Sequence, residues 1–285
     1  MERLTRADFT NLDKVLYPDA GVTKAKVIEH YIRAAQRMLE YLRGRTIVIT
    51  KFPDGIDKEG FYGKDAPMGT PEWVTTYRRY SETADRKLNY VVCNDLDTLL
   101  WLANLASLEM HITLSRVEHY EIPDMVLFDV DPEPPSGFAE AVDMALTLKE
   151  ELDALGYKAY VKTTEKKGLH VVIPVVAEYS YHHTRAIVHE LGRHLARKIE
   201  TVVSEKSQSQ EPGTVYIDYL QKSASRTMVC PYSLRAEPGA TVSTPVEWGE
   251  LRGLEPKKLN IFTVSQRKND PWRGFWEEKQ RLEVG

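Results

Sequence analysis

No other stretch of this chain limits its fold as tightly as MVLFDVDPEPP, residues 125–135. An apolar run from Met125 to Phe128 delivers two carboxylates, Asp129 and Asp131, and a proline-rich segment then ends the strand. In a strand, side chains at i and i+2 share one face, with Cα atoms about 6–7 Å apart. Carboxylates held that way at a sheet edge repel one another unless a cation or a proton lies between them. A divalent metal meets that need. Aspartates of a strand end facing water are the alternative, and D-x-D alone does not separate the two.

Two later segments favour the metal. AYVKTTEKKGLHVVIPVV, residues 159–176, reads as strand, polar turn, strand. Its turn supplies Lys162, Thr163, Thr164, Lys166, Lys167 and Gly168, and the returning strand opens on His170. Lysines, hydroxyls and a glycine suit an anion, because glycine lets the backbone approach closely and the lysines neutralise charge. TVYIDYLQ, residues 214–221, carries one acid, Asp218, in an otherwise apolar and aromatic run, where an aspartate needs a partner. Three strand-borne carboxylates and a basic hairpin are the parts of a metal-dependent phosphoryl-transfer site.

The remainder of the chain is ordinary in bulk. Its 285 residues, 42% hydrophobic and 28% charged, suffice for one large domain or two small ones. The two cysteines, Cys93 and Cys230, exclude a disulfide framework and a cysteine-rich zinc site and fit a reducing compartment. No stretch reaches the ~18 apolar residues of a membrane span, so the expectation is a cytoplasmic protein, nucleoid-associated when it acts, with no membrane partner. A net charge of −4 means that any polyanion must be met by local basic patches.

Apolar periodicity predicts helices over 24–42, with Thr23 as N-cap, over 95–110, over 137–155 with Gly156 as terminator, and over 181–200 with Ile187, Val188, Leu191, Leu195 and Ile199 inward. Residues 45–56 read as a buried strand ending in a Pro-Asp-Gly turn. A hairpin following a βα unit excludes a purely parallel sheet. The expected fold class is therefore α/β, a mixed β-sheet catalytic core with flanking helices. One domain over 1–285 is expected, with subregions divisible near residue 120.

The order D-x-D, K-T-[ST]-x-x-[KR]-G-L-H, then a lone Asp in an apolar strand resembles the archaeo-eukaryotic primase superfamily. More narrowly, the chain resembles the polymerase domain of ligase D from prokaryotic non-homologous end joining. TNLDKVLYPDAGVTK, KFPDGI, FYGK, WLANLASLEMH, PDMVLFDVDP, KTTEKKGLHVVIP, YIDYLQ and PYSLRAEPGATVSTPVEW follow its pattern in order, over residues 10–248.

The resemblance implies a template-directed nucleotidyltransferase that fills gaps and extends 3′ ends at double-strand breaks. It implies two divalent ions, Mn²⁺ with Mg²⁺ as the alternative, NTP or dNTP substrates with ribonucleotides favoured, DNA ends bearing a 5′-phosphate, and an end-joining ligase and Ku-type protein as partners. By the same resemblance Asp129, Asp131 and Asp218 hold the ions. Thr164, Lys167 and His170 contact the triphosphate, as do Ser233, Arg235, Lys51 and His111. Tyr62 stacks on the incoming base, Gln221 lies beside the ribose, and Asn11, Lys14 and Lys24 grip the 5′-phosphate, Lys24 together with backbone N–H groups at a helix start.

The sequence departs from the family at Glu165, where glycine is usual, at Lys222, where asparagine is common, and over 204–213, which lacks an expected arginine. Read without the motifs, His111 is a hydrogen-bonded histidine at a helix end, Lys14 and Lys24 are solvated charges, and Tyr62 is a core aromatic, although Gly60 and Gly63 beside it favour an exposed loop. His182 and His183 read as surface residues, and Trp272, Phe275 and Trp276 as anchors of the C-terminal tail. The rival functions are a non-catalytic module bridging DNA ends and a D-x-D phosphatase or glycosyltransferase. Pro132 stands where a phosphatase of that kind commonly has glycine.

Overall fold

The computed structural model describes residues 5–81, 84–164, 167–218 and 226–282. The chain divides into two compact units, 1–113, 227–243 and 257–268 in the first and 114–226, 244–256 and 269–285 in the second. The units interleave along the chain, so a single division near residue 120 does not capture them.

The first unit begins with the short pair β1 (Val15–Tyr17) and β2 (Val22–Thr23), then α1 (Lys24–Leu42), β3 (Thr46–Lys51), β4 (Phe61–Gly63), β5 (Thr76–Ser81), β6 (Arg86–Val92), α2 (Leu96–Asn104) and β7 (Ser107–Thr113). The second contains β8 (Met125–Pro132), α3 (Phe138–Ala154), β9 (Tyr160–Thr163), β10 (Leu169–Pro174), α4 (Tyr181–Lys198), β11 (Val202–Val203) and β12 (Val215–Asp218). β13 (Thr227–Val229) belongs to the first unit and β14 (Pro245–Val246) to the second. The first unit's sheet runs β13-β7-β3-β6-β5 with β4 also on β3; the second's runs β11-β12-β8-β10-β9-β14. Only β11–β12 is parallel among these pairs, giving a mixed sheet.

The predicted helix over 24–42 is present with Thr23 capping it, and the one over 137–155 ends at Gly156, whose φ of +80° suits glycine. Two expectations need correction. The segment 95–110 is not one helix: α2 ends at Asn104, Ala106 turns at φ +54°, and β7 follows. Leu105 and Leu108 mimic helical spacing, but Leu108, Met110 and Ile112 alternate inward as a strand requires. In α4 the buried stripe is Tyr181, Thr184, Val188, Gly192 and Leu195, so Ile187, Leu191 and Ile199 are only half-buried. Gly192 explains this rotation. A Cβ there would stand 3.3 Å from Ser204 Cβ and 3.8 Å from Ile217 Cβ, so the helix seats its smallest residue against the sheet.

That contact also fixes which face of the second sheet is covered. Ile217 pairs with Val130, and Val126, Phe128 and Val130 are fully buried. Asp129 and Asp131, at alternate positions, belong to the opposite face. The C-terminal aromatics close the second unit as expected: Trp272 stacks on Phe275 at 4.9 Å, and its indole N–H donates to the Val161 carbonyl at 2.9 Å. His182 and His183 are exposed. Among the described residues no helix is long and apolar enough to cross a membrane.

Candidate active site

Strand register in the second unit assembles what the sequence separates. Asp218 on β12 stands directly opposite Asp129 on β8, which stands opposite His170 on β10, itself opposite Lys162 on β9. Directly paired residues share a face, so a row of acid, acid, imidazole and amine crosses four strands. Tyr216 pairs with Asp131 in the next row. The strand ends are tied together: the Glu133 N–H donates to the Thr214 carbonyl at 2.8 Å, and the Ser136 hydroxyl to the Gly213 carbonyl at 2.7 Å.

Each carboxylate leans on a different donor. His170 Nε2 is 3.2 Å from Asp129 Oδ1, and Lys167 Nζ is 3.8 Å from Asp131 Oδ1. The Tyr216 hydroxyl donates to Asp218 Oδ1 at 3.3 Å. Lys167 also donates to the Pro132 carbonyl. Burial raises the Asp129 carboxyl pKa, but the charges of His170, Lys162 and Arg226 outweigh it and leave it below the ordinary value. Arg226 thus supplies positive charge beside the acids, after Asp218 in sequence rather than in the 204–213 segment before it. Asp129 and Asp131 keep 39% and 66% of their side-chain surface exposed, enough to accept a ligand from outside.

Hard carboxylate oxygens grouped on one face fit Mg²⁺ or Mn²⁺ chemically. With each acid turned to its own donor, no three His, Cys, Asp or Glu among the described residues converge on one ion position. The hairpin is close-packed against this face. The Thr164 N–H donates to the Gly168 carbonyl at 3.1 Å, and a Cβ on Gly168 would lie 2.8 Å from Thr164 Oγ1 and 3.0 Å from the Val130 carbonyl. Gln221, Glu165 and Lys222 lie outside the described residues.

In the first unit, His111 is on strand β7, not at a helix end, opposite Val48 of β3 and Val229 of β13. Thr50 faces both Tyr62 on β4 and Glu109 on β7, so Tyr62, Glu109 and His111 share one face. Tyr62 is 63% exposed, on a short strand where the sequence suggested a loop. Lys51 is half-buried at the end of β3, beside a register shift between Thr50 and itself.

The PYSLR segment is stapled to β7. The Met110 N–H donates to Ser233 Oγ at 2.9 Å, Tyr31 donates to the Leu108 carbonyl at 2.7 Å, and Tyr17 donates to the Arg235 carbonyl at 2.9 Å. Ser233 is fully buried, and its hydroxyl serves these backbone contacts. Arg235 instead meets a residue that sequence reasoning missed. Glu109 Oε1 is 3.4 Å from Arg235 Nε and accepts the Ala236 N–H at 3.0 Å, while Oε2 is 3.8 Å from His111 Nε2. Burial raises the Glu109 pKa, yet His111, Arg235 and the Ala236 N–H bring it down to about 2. The i, i+2 spacing of Glu109 and His111 was the available signal.

Asn11, Lys14 and Lys24 come together at the start of α1. The Lys24 N–H donates to the Lys14 carbonyl, and the Lys14 N–H to the Asn11 carbonyl, where Asn11 adopts φ +52°. Lys24 is buried, and burial followed by the Lys14 charge lowers its pKa. Lys14 pairs with Asp54 at 2.6 Å. The backbone contribution expected of this helix start is already engaged: the Lys24, Ala25 and Lys26 N–H groups donate to the Lys14 carbonyl, the Leu12 carbonyl and Thr23 Oγ1. Any anion here is met by side chains.

The family described as "LigD, primase-polymerase domain" matches residues 23–272. The chain belongs to the LigD primase-polymerase family. It is 30% identical over 281 residues to the bifunctional non-homologous end joining protein LigD of Bacillus subtilis (strain 168), covering 96% of this chain and 45% of that protein. It is 29% identical to the multifunctional LigD of Mycolicibacterium smegmatis, covering 95% of this chain and 36% of that protein. This LigD-family chain thus spans less than half the length of these relatives. The polymerase domain of Mycobacterium tuberculosis ligase D, solved in complex with DNA, superposes with a TM-score of 0.88 at 25% identity, covering 97% of this chain and all of that one.

Proposed function

We propose that this chain is a template-directed nucleotidyltransferase that fills gaps and extends 3′ ends at DNA breaks during non-homologous end joining. One observation carries the reading: the register that sets Asp218 opposite Asp129, with Asp131 two residues along, on the open face of the second unit's sheet. Asp129, Asp131 and Asp218 would hold two divalent ions, Mn²⁺ in preference to Mg²⁺. Such ions, when bound, lower the pKa of a primer 3′-hydroxyl and stabilise charge on a triphosphate.

The protein's own residues do the rest. His170 and Lys167, beside Asp129 and Asp131, orient those acids and offer positive charge to triphosphate oxygens. Thr164 and Gly168 shape the hairpin that approaches them. In the first unit, Lys51, His111 and Arg235 contact nucleotide phosphates, Ser233 fixes the segment carrying Arg235, and exposed Tyr62 stacks on a base. Asn11, Lys14 and Lys24 take a downstream 5′-phosphate, which must draw Lys14 from Asp54. Ribonucleotides are favoured over deoxyribonucleotides, and an end-joining ligase and a Ku-type protein are the partners.

The test is primer extension across a short gap with a downstream 5′-phosphate, in Mn²⁺, comparing ribo- and deoxynucleotides. Template-directed addition that favours ribonucleotides and is lost in Asp218→Asn supports the reading. Addition undiminished in Asp218→Asn overturns the catalytic assignment.

A further inference from the structure

Glu109 is an acid where the proposed chemistry asks for cations. Its side chain is 15% exposed, and both of its oxygens face donors: Oε1 the Arg235 Nε and the Ala236 N–H, Oε2 the His111 imidazole. An isolated carboxylate so placed would be costly, and one surrounded by donors is not. The neighbours are equally enclosed, with Arg235 at 14% and His111 at 22% exposure. A long guanidinium side chain and an imidazole on adjacent segments have several rotamers each. A single carboxylate touching both selects one arrangement of the pair and removes much of the entropy otherwise lost on binding a ligand. The contact at Nε uses one of the five guanidinium donors.

The surroundings are built to hold that arrangement. Tyr17 anchors the Arg235 carbonyl, and Tyr31 accepts the Leu234 N–H at 3.3 Å while donating to the Leu108 carbonyl. Ser233 bridges to Met110. The backbone on both sides of the Glu109–Arg235 contact is therefore fixed independently of the contact itself. The carboxylate adds one backbone tie of its own, through the Ala236 N–H, and beyond that sets the two side chains.

We infer that Glu109 is a positioning residue, which holds Arg235 and His111 in the orientation that receives the phosphates of a nucleoside triphosphate. The inference rests on the reading of Arg235 and His111 as nucleotide contacts. It distinguishes Glu109 from a repulsive acid: a carboxylate acting only through its charge would weaken anion binding, whereas a positioning carboxylate strengthens it.

A double-mutant cycle tests the point. Binding of a nucleoside triphosphate with a non-hydrolysable α,β bridge is measured by calorimetry with Mn²⁺, for the wild type, Glu109→Gln, Arg235→Ala and the double variant, with Tm recorded for each. The near-isosteric Glu109→Gln should bind about tenfold more weakly at a temperature where it remains folded. In the Arg235→Ala background the same change should cost less than about twofold. A Glu109→Gln variant that binds equally or more tightly, while Arg235→Ala binds weakly, overturns the positioning role alone. Equal losses in both backgrounds overturn it as well, because the effect then does not pass through Arg235. Unaltered binding in Arg235→Ala overturns the nucleotide reading on which the inference stands. If Glu109→Gln lowers Tm, Glu109→Asp carries the same cycle: it keeps the charge but loses reach, so wild-type binding in Glu109→Asp contradicts positioning.

Discussion

Asp129 and Glu109 are both carboxylates on β-strands, and both face a histidine and nearby cationic charge, but they are set up for opposite ends. Asp129 is 39% exposed and meets one histidine at 3.2 Å, with a second acid, Asp218, directly across the ladder. Glu109 is 15% exposed, faces Thr50 across its ladder, and has both oxygens turned to protein donors. An exposed acid beside another acid gains from an incoming cation, whereas an enclosed acid already surrounded by donors gains nothing. On the proposed reading, exposure and the cross-strand neighbour, not residue type, separate a metal ligand from a side chain that positions others.

The comparison can be broken most severely at Asp129. Asp129→Asn should lower nucleotide addition on the order of 10³-fold while leaving affinity for 5′-phosphorylated DNA ends within about twofold. Band-shift and extension assays on one preparation check both, and parallel loss of binding and addition contradicts the separation of roles.

The hairpin next to Asp131 gives a smaller, structural effect. Gly168→Ala places a Cβ against Thr164 Oγ1 and the Val130 carbonyl, an overpacking that should cost about 1–3 kcal/mol in denaturant unfolding. Gly249→Ala, with nothing within 4 Å of its Cβ position, is the control and should stay within about 0.5 kcal/mol.

A buried histidine that serves only the fold sharpens the contrast with His170. His30 on α1 is buried, its Nε2 is 3.0 Å from the Tyr232 carbonyl, and burial lowers its pKa from 6.5 to about 4, against the opposing pull of that carbonyl. Between these values the unfolded chain binds the proton and the folded chain does not. Stability is therefore retained above pH 6.5 and falls as pH drops toward 4, by about 2 kcal/mol from pH 7 to pH 5. His30→Gln, which retains a donor for the carbonyl, should lose that much less over the same range in urea titrations. An unchanged pH slope in His30→Gln would remove His30 from the account.

The mildest effect concerns Lys14 and Lys24. Replacing both with Ala should reduce the preference for a 5′-phosphorylated over an unphosphorylated end by about tenfold, near 1.4 kcal/mol. Fluorescence anisotropy with the two ends measures it, and a preserved preference would remove the reason for assigning these lysines.

Much of this was legible in local sequence. The α1 bounds follow from Thr23 and an uninterrupted apolar stripe, and the β8 acids from their spacing after an apolar run. What escaped depends on pairing between distant segments. That Asp218 stands across from Asp129, or Tyr216 across from Asp131, follows from register and not from spacing. The break after Asn104 escaped because Leu105 and Leu108 continue the helical i, i+3 spacing past the point where α2 ends. The inward face of α4 escaped because Gly192, which a hydrophobicity pattern ignores, decides the approach to Ile217. Glu109 escaped because an acid beside residues expected to meet an anion reads as an exception until its donors are seen.

The measurement that bears most directly on the account is Mn²⁺ binding in the presence of a non-hydrolysable nucleoside triphosphate, followed by electron paramagnetic resonance in the wild type, Asp131→Asn and Glu109→Gln. The account predicts two bound ions in the wild type, loss of at least one in Asp131→Asn, and an unchanged count in Glu109→Gln at nucleotide concentrations that saturate it. An ion count insensitive to Asp131→Asn, or one that falls with Glu109→Gln at saturation, would contradict it.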